Sequence, residues 1–380
     1  MSKIIYISQE KLSDKVMRDW FIKDFSCKDN QIEFWDVTYL IAEKNNSNKA
    51  YKNVKLFEFR NIADFEDQIK KNNTKKAVYI IIIPFTYEAL KVYKLISKYN
   101  LFTIFFAWGE SPGIFTKRDI FSKVKAFFSL KQSNLKLIKR VAQRQYVKLH
   151  RAMNLINKYN ITFFAGDICR ENIYSENSIG INLCDYQQYL SVDELFPYKK
   201  FSVFIDINAP YHEDYGLFKY KVDDTKYYNS LNNFFTEYER KYKTNVVIAA
   251  HPKSNYKKDR FDGRAIYQLK TAALIKSCNH VLMHHSTAIS HAILSYKPII
   301  FFITTDMTNS TDHLLTRGLA LSLGSNIISI DESYANIPDK IALYKDLYDN
   351  YKYNYIVSIE AEGFNNIDIV NETIKKIIQK

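Results

Sequence analysis

Apolar residues come in short runs along this chain, and the runs alternate with stretches of helical period. Val78-Tyr79-Ile80-Ile81-Ile82-Ile83 shows no polar alternation at all. A strand apolar on both faces is what a parallel sheet needs when helices cover it on both sides. On this basis the first half predicts strands over residues 4–7, 34–40, 54–59, 77–83, 102–106 and 161–164. Helices are predicted over 64–71 and 88–98, with a long helical stretch over 118–158. The second half restarts the alternation, with strands over 202–207, 245–250, 265–267, 280–283, 298–303 and 326–330. Its helices are predicted over 226–243, 271–277, 287–295 and 340–350, and an amphipathic stretch over 367–378 closes the chain. The expected fold class is α/β, with two doubly wound, Rossmann-like domains facing a central cleft. The polar turn Pro197-Tyr198-Lys199-Lys200 precedes a fresh strand. The expected division is therefore residues 1–198, residues 199–355 and a final helix within 356–380 that packs back on the first domain.

Composition changes this picture little. A chain of 380 residues fits two domains, and nine Gly and seven Pro leave little room for linkers. Four cysteines (Cys27, Cys169, Cys184, Cys278) are scattered without C-x-x-C spacing and read as free thiols in a reducing compartment. Residues 1–7 read as a first strand, too short for a signal peptide. No apolar run approaches the ~18–20 residues that span a bilayer. The expectation is a cytoplasmic protein, or one peripheral on the inner face of the cell membrane.

Charge adds a partner. The net charge is +13, and residues 117–158 hold twelve Lys or Arg against one acid, Asp119. The plain reading is a solvated helix face. The functional one is attraction to an anionic membrane surface, worth ~1 kcal/mol per basic residue, or to an acidic polymer. No RNP-like, zinc-finger or helix-turn-helix signature accompanies the charge, so nucleic acid is not expected.

The candidate chemistry sits in the second half. Val246-Val247-Ile248-Ala249-Ala250 ends in His251-Pro252, and Pro stops the ladder, holding His251 at a strand's carboxyl end. Val281-Leu282-Met283 runs through His284-His285 into Ser286-Thr287 and a helix. Ser or Thr there is a favoured cap, and first-turn N–H groups receive anions. Two strand ends, an imidazole and a hydroxyl-bearing helix start are the parts of a nucleotide phosphate pocket. His285 reads as a residue of that pocket, and Lys270-Thr271, at another helix start, as a cap for base or ribose. Adjacent His residues on a strand point to opposite faces, and neither an H-E-x-x-H motif nor a D-x-D triplet occurs, so no metal site and no cofactor are expected. Two loops offer acids. Glu110, in Trp108-Gly109-Glu110-Ser111-Pro112-Gly113, is the first candidate base for an acceptor hydroxyl. His212 and Asp214, in the loop after the 202–207 strand, are the second. No P-loop or G-x-G-x-x-G motif is present.

The His251-Pro252 segment and the stretch from Ser286-Thr287 to Lys297-Pro298 together resemble bacterial surface-polysaccharide glycosyltransferases of the GT-B fold. The style is that of enzymes using CMP-activated acidic sugars, sialyltransferase- and Kdo-transferase-like, and the match covers about residues 200–305. The resemblance implies that His251 contacts the donor phosphate and that Ser286 and Thr287 bind it. It also implies an acidic base in the first domain, where Gly109-Glu110 carries the family's acid and glycine in reversed order. The implied activity is metal-independent transfer of an acidic nonulosonic or Kdo-like sugar from a CMP donor to a cell-surface glycan or glycolipid, such as capsule or lipopolysaccharide. The Ser-rich element before Lys297-Pro298 is also similar to teichoic-acid glycerophosphate polymerases, which would make the donor CDP-activated. Two alternatives stand beside these: a nucleotide-sugar epimerase or hydrolase on the same scaffold, and a non-catalytic, membrane-associated assembly factor.

Overall fold

The computed structural model describes residues 3–379 apart from 28–29, 45, 73–76, 113–133, 172, 193–195, 197–199, 212–220, 257, 309 and 332–336. The chain forms two units. One gathers Met1–Trp108, Asp119–Asn182 and Ser358–Lys380; the other gathers Gly109–Arg118 and Leu183–Val357. Among the described residues no helix is long and apolar enough to cross a membrane.

The first unit is built on seven strands: β1 (Lys3–Ser8), β2 (Gln31–Asp36), β3 (Val54–Glu58), β4 (Ala77–Ile82), β5 (Thr103–Ala107), β6 (Tyr159–Ala165) and β7 (Ser175–Ile181). They pair in the order β3-β2-β1-β4-β5-β6-β7, all parallel. Successive side chains leave opposite faces. Ile5, Ile7, Trp35 and Tyr79 therefore enter one apolar cluster, and Ile4, Tyr6, Phe34 and Val78 the other. The second cluster also takes Val370 and Ile374 from the C-terminal helix Asn366–Ile378. That helix is tied down at its start, where Asn182 N–H donates to Asn366 Oδ1 (2.8 Å) and Asn366 Nδ2 donates to the Asn182 carbonyl (2.5 Å).

The second unit repeats the plan with six strands: β8 (Phe201–Ile205), β9 (Asn245–Ala250), β10 (Ile266–Gln268), β11 (Val281–Met283), β12 (Ile299–Ile303) and β13 (Ile327–Ser329). The order is β10-β9-β8-β11-β12-β13, again all parallel. Val203, Val247, Val281 and Phe301 pack on one side, and Phe204, Ile248, Leu282 and Phe302 on the other. In both sheets the strand order reverses, between β1 and β4 and between β8 and β11. Such a switch opens a crevice at the carboxyl ends of the two strands concerned.

Several elements differ from the sequence reading. The 34–40 strand ends at Asp36, whose Oδ1 accepts the Thr38 N–H (2.8 Å) and turns the chain into the helix Thr38–Ala42. The strand β7 and the helices Cys184–Ser191 and Thr311–Ser322 went unread. The helix expected over 287–295 spans Ile289–Leu294, and the one over 340–350 spans Lys345–Tyr351. The units part between Asn182 and Leu183, not at 198/199, because the helix Cys184–Ser191 packs its Tyr186 into the core of the second sheet. Pro197, Tyr198 and Lys199, where the boundary was expected, lie outside the described residues.

Candidate functional site

The switch of the second sheet lies between the ends of β8 and β11. Past β8 comes Asp206, only 2% exposed. Its Oδ1 accepts the Asn208 N–H (2.9 Å), its Oδ2 accepts from the Tyr256 hydroxyl, and the His251 N–H also donates to the carboxylate. Burial pushes this carboxyl above its ordinary value, and the three donors pull it partly back. Asp206 thus anchors the turn that carries His251. The His251 carbonyl accepts from Ser254 Oγ (2.7 Å) and Gln268 Nε2 (3.2 Å). The His251 ring is half-buried and its Nδ1 accepts the Lys253 N–H (3.2 Å), so a neutral ring carries its hydrogen on Nε2.

Past β11 the two adjacent histidines part, as strand alternation requires. His284 is fully buried; its Nδ1–H donates to the Phe302 carbonyl (2.7 Å), and its Nε2 accepts from the Tyr227 hydroxyl (2.9 Å). Burial drives its pKa down to about 3, which keeps it neutral. His285 turns the other way, with its Nε2 3.6 Å from Asp312 Oδ1. Ser286 Oγ accepts the Ala288 N–H (3.2 Å) and opens the short helix Ile289–Leu294. Thr287 is exposed.

A cavity of about 170 Å³ lies here within the second unit. His285, Ser286, Thr287 and Ser290 give it polar groups, Glu110 and Ser111 add more, and Ile289, Leu319, Tyr351 and Tyr355 supply apolar wall. Gly109 turns the Glu110 loop at φ +83°, backbone that glycine adopts without strain. Burial and then the Glu110 charge raise the Tyr355 hydroxyl's pKa, so the carboxylate is felt across the pocket. The volume falls below the ~300–1,000 Å³ of a whole-ligand site, and suits one phosphoryl group or part of a sugar.

Of the residues singled out in the sequence, Glu110, His285, Ser286 and Thr287 line this one pocket. His251 and Pro252 stand outside its lining, at the end of β9, with β8 between them and β11. Strands lie about 4.8 Å apart, so β9 and β11 are separated by about 10 Å. Lys270 and Thr271 follow β10, one strand further out; Lys270 is exposed and stands at the start of the helix Thr271–Ser277, where its side chain makes no capping hydrogen bond. His212 and Asp214 lie outside the described residues. The sequence reading gives no role to Asp206 or Asp185, and it names His291 only with the adjacent histidines as a metal candidate set aside. Ser290 Oγ donates to Asp185, and beside it His291 is buried, with no hydrogen-bond partner for its Nδ1 among the described residues. Burial lowers the His291 pKa, against the Asp185 charge that raises it. A lone acid closing an apolar strand was the visible signal for Asp206. Asp185 gave none, since its partner comes from more than 100 residues away.

No protein-family model matches the sequence, and no curated protein matches it either. Solved structures are similar in fold. The wall teichoic acid polymerase TagF superimposes with a TM-score of 0.52 at 12% identity, covering 100% of this chain and 89% of that one. Arabidopsis thaliana UGT89C1 complexed with UDP gives 0.48 at 7% identity, with 100% of both chains covered. UDP-GlcNAc 2-epimerase from Methanocaldococcus jannaschii gives 0.45 at 12%, covering 99% and 100%. At such identities the likeness speaks to fold alone: two parallel-sheet, Rossmann-like α/β units of the GT-B kind.

Proposed function

We propose that this chain transfers a sugar from a nucleotide-activated donor, CMP-linked, to a hydroxyl of a glycan or glycolipid. One observation carries the reading: Glu110, His285, Ser286 and Thr287 line a single pocket past the carboxyl end of β11. In the proposed step the acceptor oxygen bonds to the anomeric carbon as that carbon's bond to the phosphate oxygen breaks. Glu110 takes the acceptor proton, and CMP leaves with the bonding pair. The Ser286 and Thr287 hydroxyls and the Nε2–H of His251 donate to the phosphate oxygens as charge builds on them. Donors fixed beforehand stabilise such charge without reorganising at the moment of reaction.

The test is a thermal shift of the full chain with CMP, CDP, UDP and GDP in the presence of a chelator, followed by a transfer assay. A shift specific to CMP, and transfer that survives chelation, are expected. His251→Ala should lower the transfer rate by a hundredfold or more, the scale of a lost charge-stabilising donor, while the melting temperature without ligand holds. Glu110→Gln should lower the rate and leave CMP affinity unchanged. Normal turnover in His251→Ala sinks the phosphate assignment.

A second reading has one observation in its favour, the fold likeness to TagF. The same hydroxyls would then hold a CDP-activated polyol phosphate, and CDP rather than CMP would give the shift. Donor consumed with no acceptor present would mark an epimerase or hydrolase instead. A chain that binds vesicles but no nucleotide would be an assembly factor.

A further inference from the structure

The first sheet has its own switch point, and a second pocket fills it. Gln9 and Glu10 follow β1, Pro84 lies just past β4, and Phe106 and Trp108 stand at and just past the end of β5. The Gln9 N–H donates to the Ile82 carbonyl (3.1 Å), so the chain leaves β1 and β4 together. The cavity measures about 540 Å³, within the range of small-molecule sites.

Its walls have a definite chemistry. Trp20 and Trp108 are half-buried, with ring centroids 5.3 Å apart, and Phe106 packs against both, 5.7 Å from Trp20 and 5.0 Å from Trp108. The face of an aromatic ring carries the negative end of its quadrupole. It therefore attracts the polarised C–H bonds that line one face of a pyranose. Gln9 lines the cavity as well, and its side-chain amide brings hydrogen-bonding groups that suit hydroxyls. Glu10 is the one charged residue in the lining; no Lys, Arg or His is among the lining residues, in a chain that holds 54 Lys and Arg. Such a pocket disfavours phosphates and carboxylates.

We infer that this pocket binds a neutral pyranose, with its apolar face on Trp20 and Trp108 and its hydroxyls donating to Gln9 and Glu10. Naming that sugar the acceptor rests on the transferase reading; the binding site does not. An acidic sugar or a nucleotide is refused here.

The chain reports on this pocket by itself. It has three tryptophans, and the third, Trp35, is fully buried away from the cavity. The full chain is titrated, with emission followed, against the methyl β-glycosides of glucose, galactose and N-acetylglucosamine up to 50 mM. A saturable blue shift with at least one glycoside is expected. Trp20→Leu and Trp108→Leu should each weaken it tenfold or more, while the nucleotide-induced thermal shift stays as in the parent, which also shows that the variants fold. No emission change with any of the three overturns the inference. So does a change that survives in both variants, or the same shift produced by CMP, which would make the pocket a base site. A chain that shifts with nucleotide but not with glycoside sinks this inference alone, and the reverse pattern sinks only the donor reading.

Discussion

His284 and His285 adjoin in the chain and do opposite things. His284 is sealed between Tyr227 and the Phe302 carbonyl, and its pKa falls from 6.5 to about 3. The unfolded chain binds a proton below pH about 6.5 that the native one refuses. His284 therefore supports the fold above that pH, and the support is lost as pH falls toward 3. Between pH 7 and pH 5 the parent should lose about 2 kcal/mol more than His284→Gln, at 1.36 kcal/mol per unit, read from urea midpoints. The other buried histidines titrate alike in both proteins and cancel; equal losses would mean that His284 is not sealed. Which of two adjacent histidines faces the pocket is not written in the sequence. Alternation says only that they part, and the partners that decide come from 57 residues before and 18 after. His251 was legible because Pro252 ends its strand. Asp206 is marked in the sequence as an acid closing an apolar strand, but its role in holding the His251 turn is not, because its donors lie 45 and 50 residues on.

Elements were legible where burial wrote a pattern. Strands β1, β4, β9 and β12 are apolar on both faces and are placed within a residue or two, whereas β2, with Glu33 in it, is read three residues late, and β7, with the sequence SENSIGI at the edge of its sheet, is largely polar and carries no such mark. The C-terminal helix was legible as amphipathic, and its docking face is now specific: Val370 is fully buried and Ile374 is 3% exposed in the core under β1 and β4. Ile374→Ala should cost about 2–5 kcal/mol by chemical denaturation; a cost under 1 kcal/mol would show the helix is not docked as described. The helix Asn134–Ala152 is a different case. On one face it exposes Val141 with Arg144 and Lys148, three and seven residues on, and Leu149 and Tyr146 are exposed further round. We propose that this surface meets anionic lipid. At ~1 kcal/mol per basic residue, Arg144→Gln with Lys148→Gln should weaken binding to phosphatidylglycerol vesicles roughly thirtyfold. Unchanged sedimentation with such vesicles would return the charge to plain solvation.

At the scale of the whole molecule, the same strand plan occurs twice and carries two chemistries. Each sheet reverses its strand order once; the first unit's pocket takes residues from both strands of its reversal, the second unit's from beyond β11. The second unit's pocket holds hydroxyls, an imidazole and the Glu110 carboxylate; the first unit's holds indole rings, one amide and the Glu10 carboxylate. A parallel sheet fixes where a ligand can sit, and the side chains past the strand ends fix what it can be. If the two assignments hold, each ligand should quiet only its own unit in hydrogen exchange. CMP should slow exchange in peptides covering 109–111 and 284–294 and leave those covering 82–84 and 105–108 unchanged. A methyl glycoside that shifts tryptophan emission should do the reverse. Exchange is suited to the question because loops past strand ends open at low free energy, so a ligand that ties them down changes their protection more than that of the cores. Protection of 82–84 by CMP, with none at 284–294, would exchange the roles of the two units, and the phosphate would have to be sought beside Trp108 rather than Ser286.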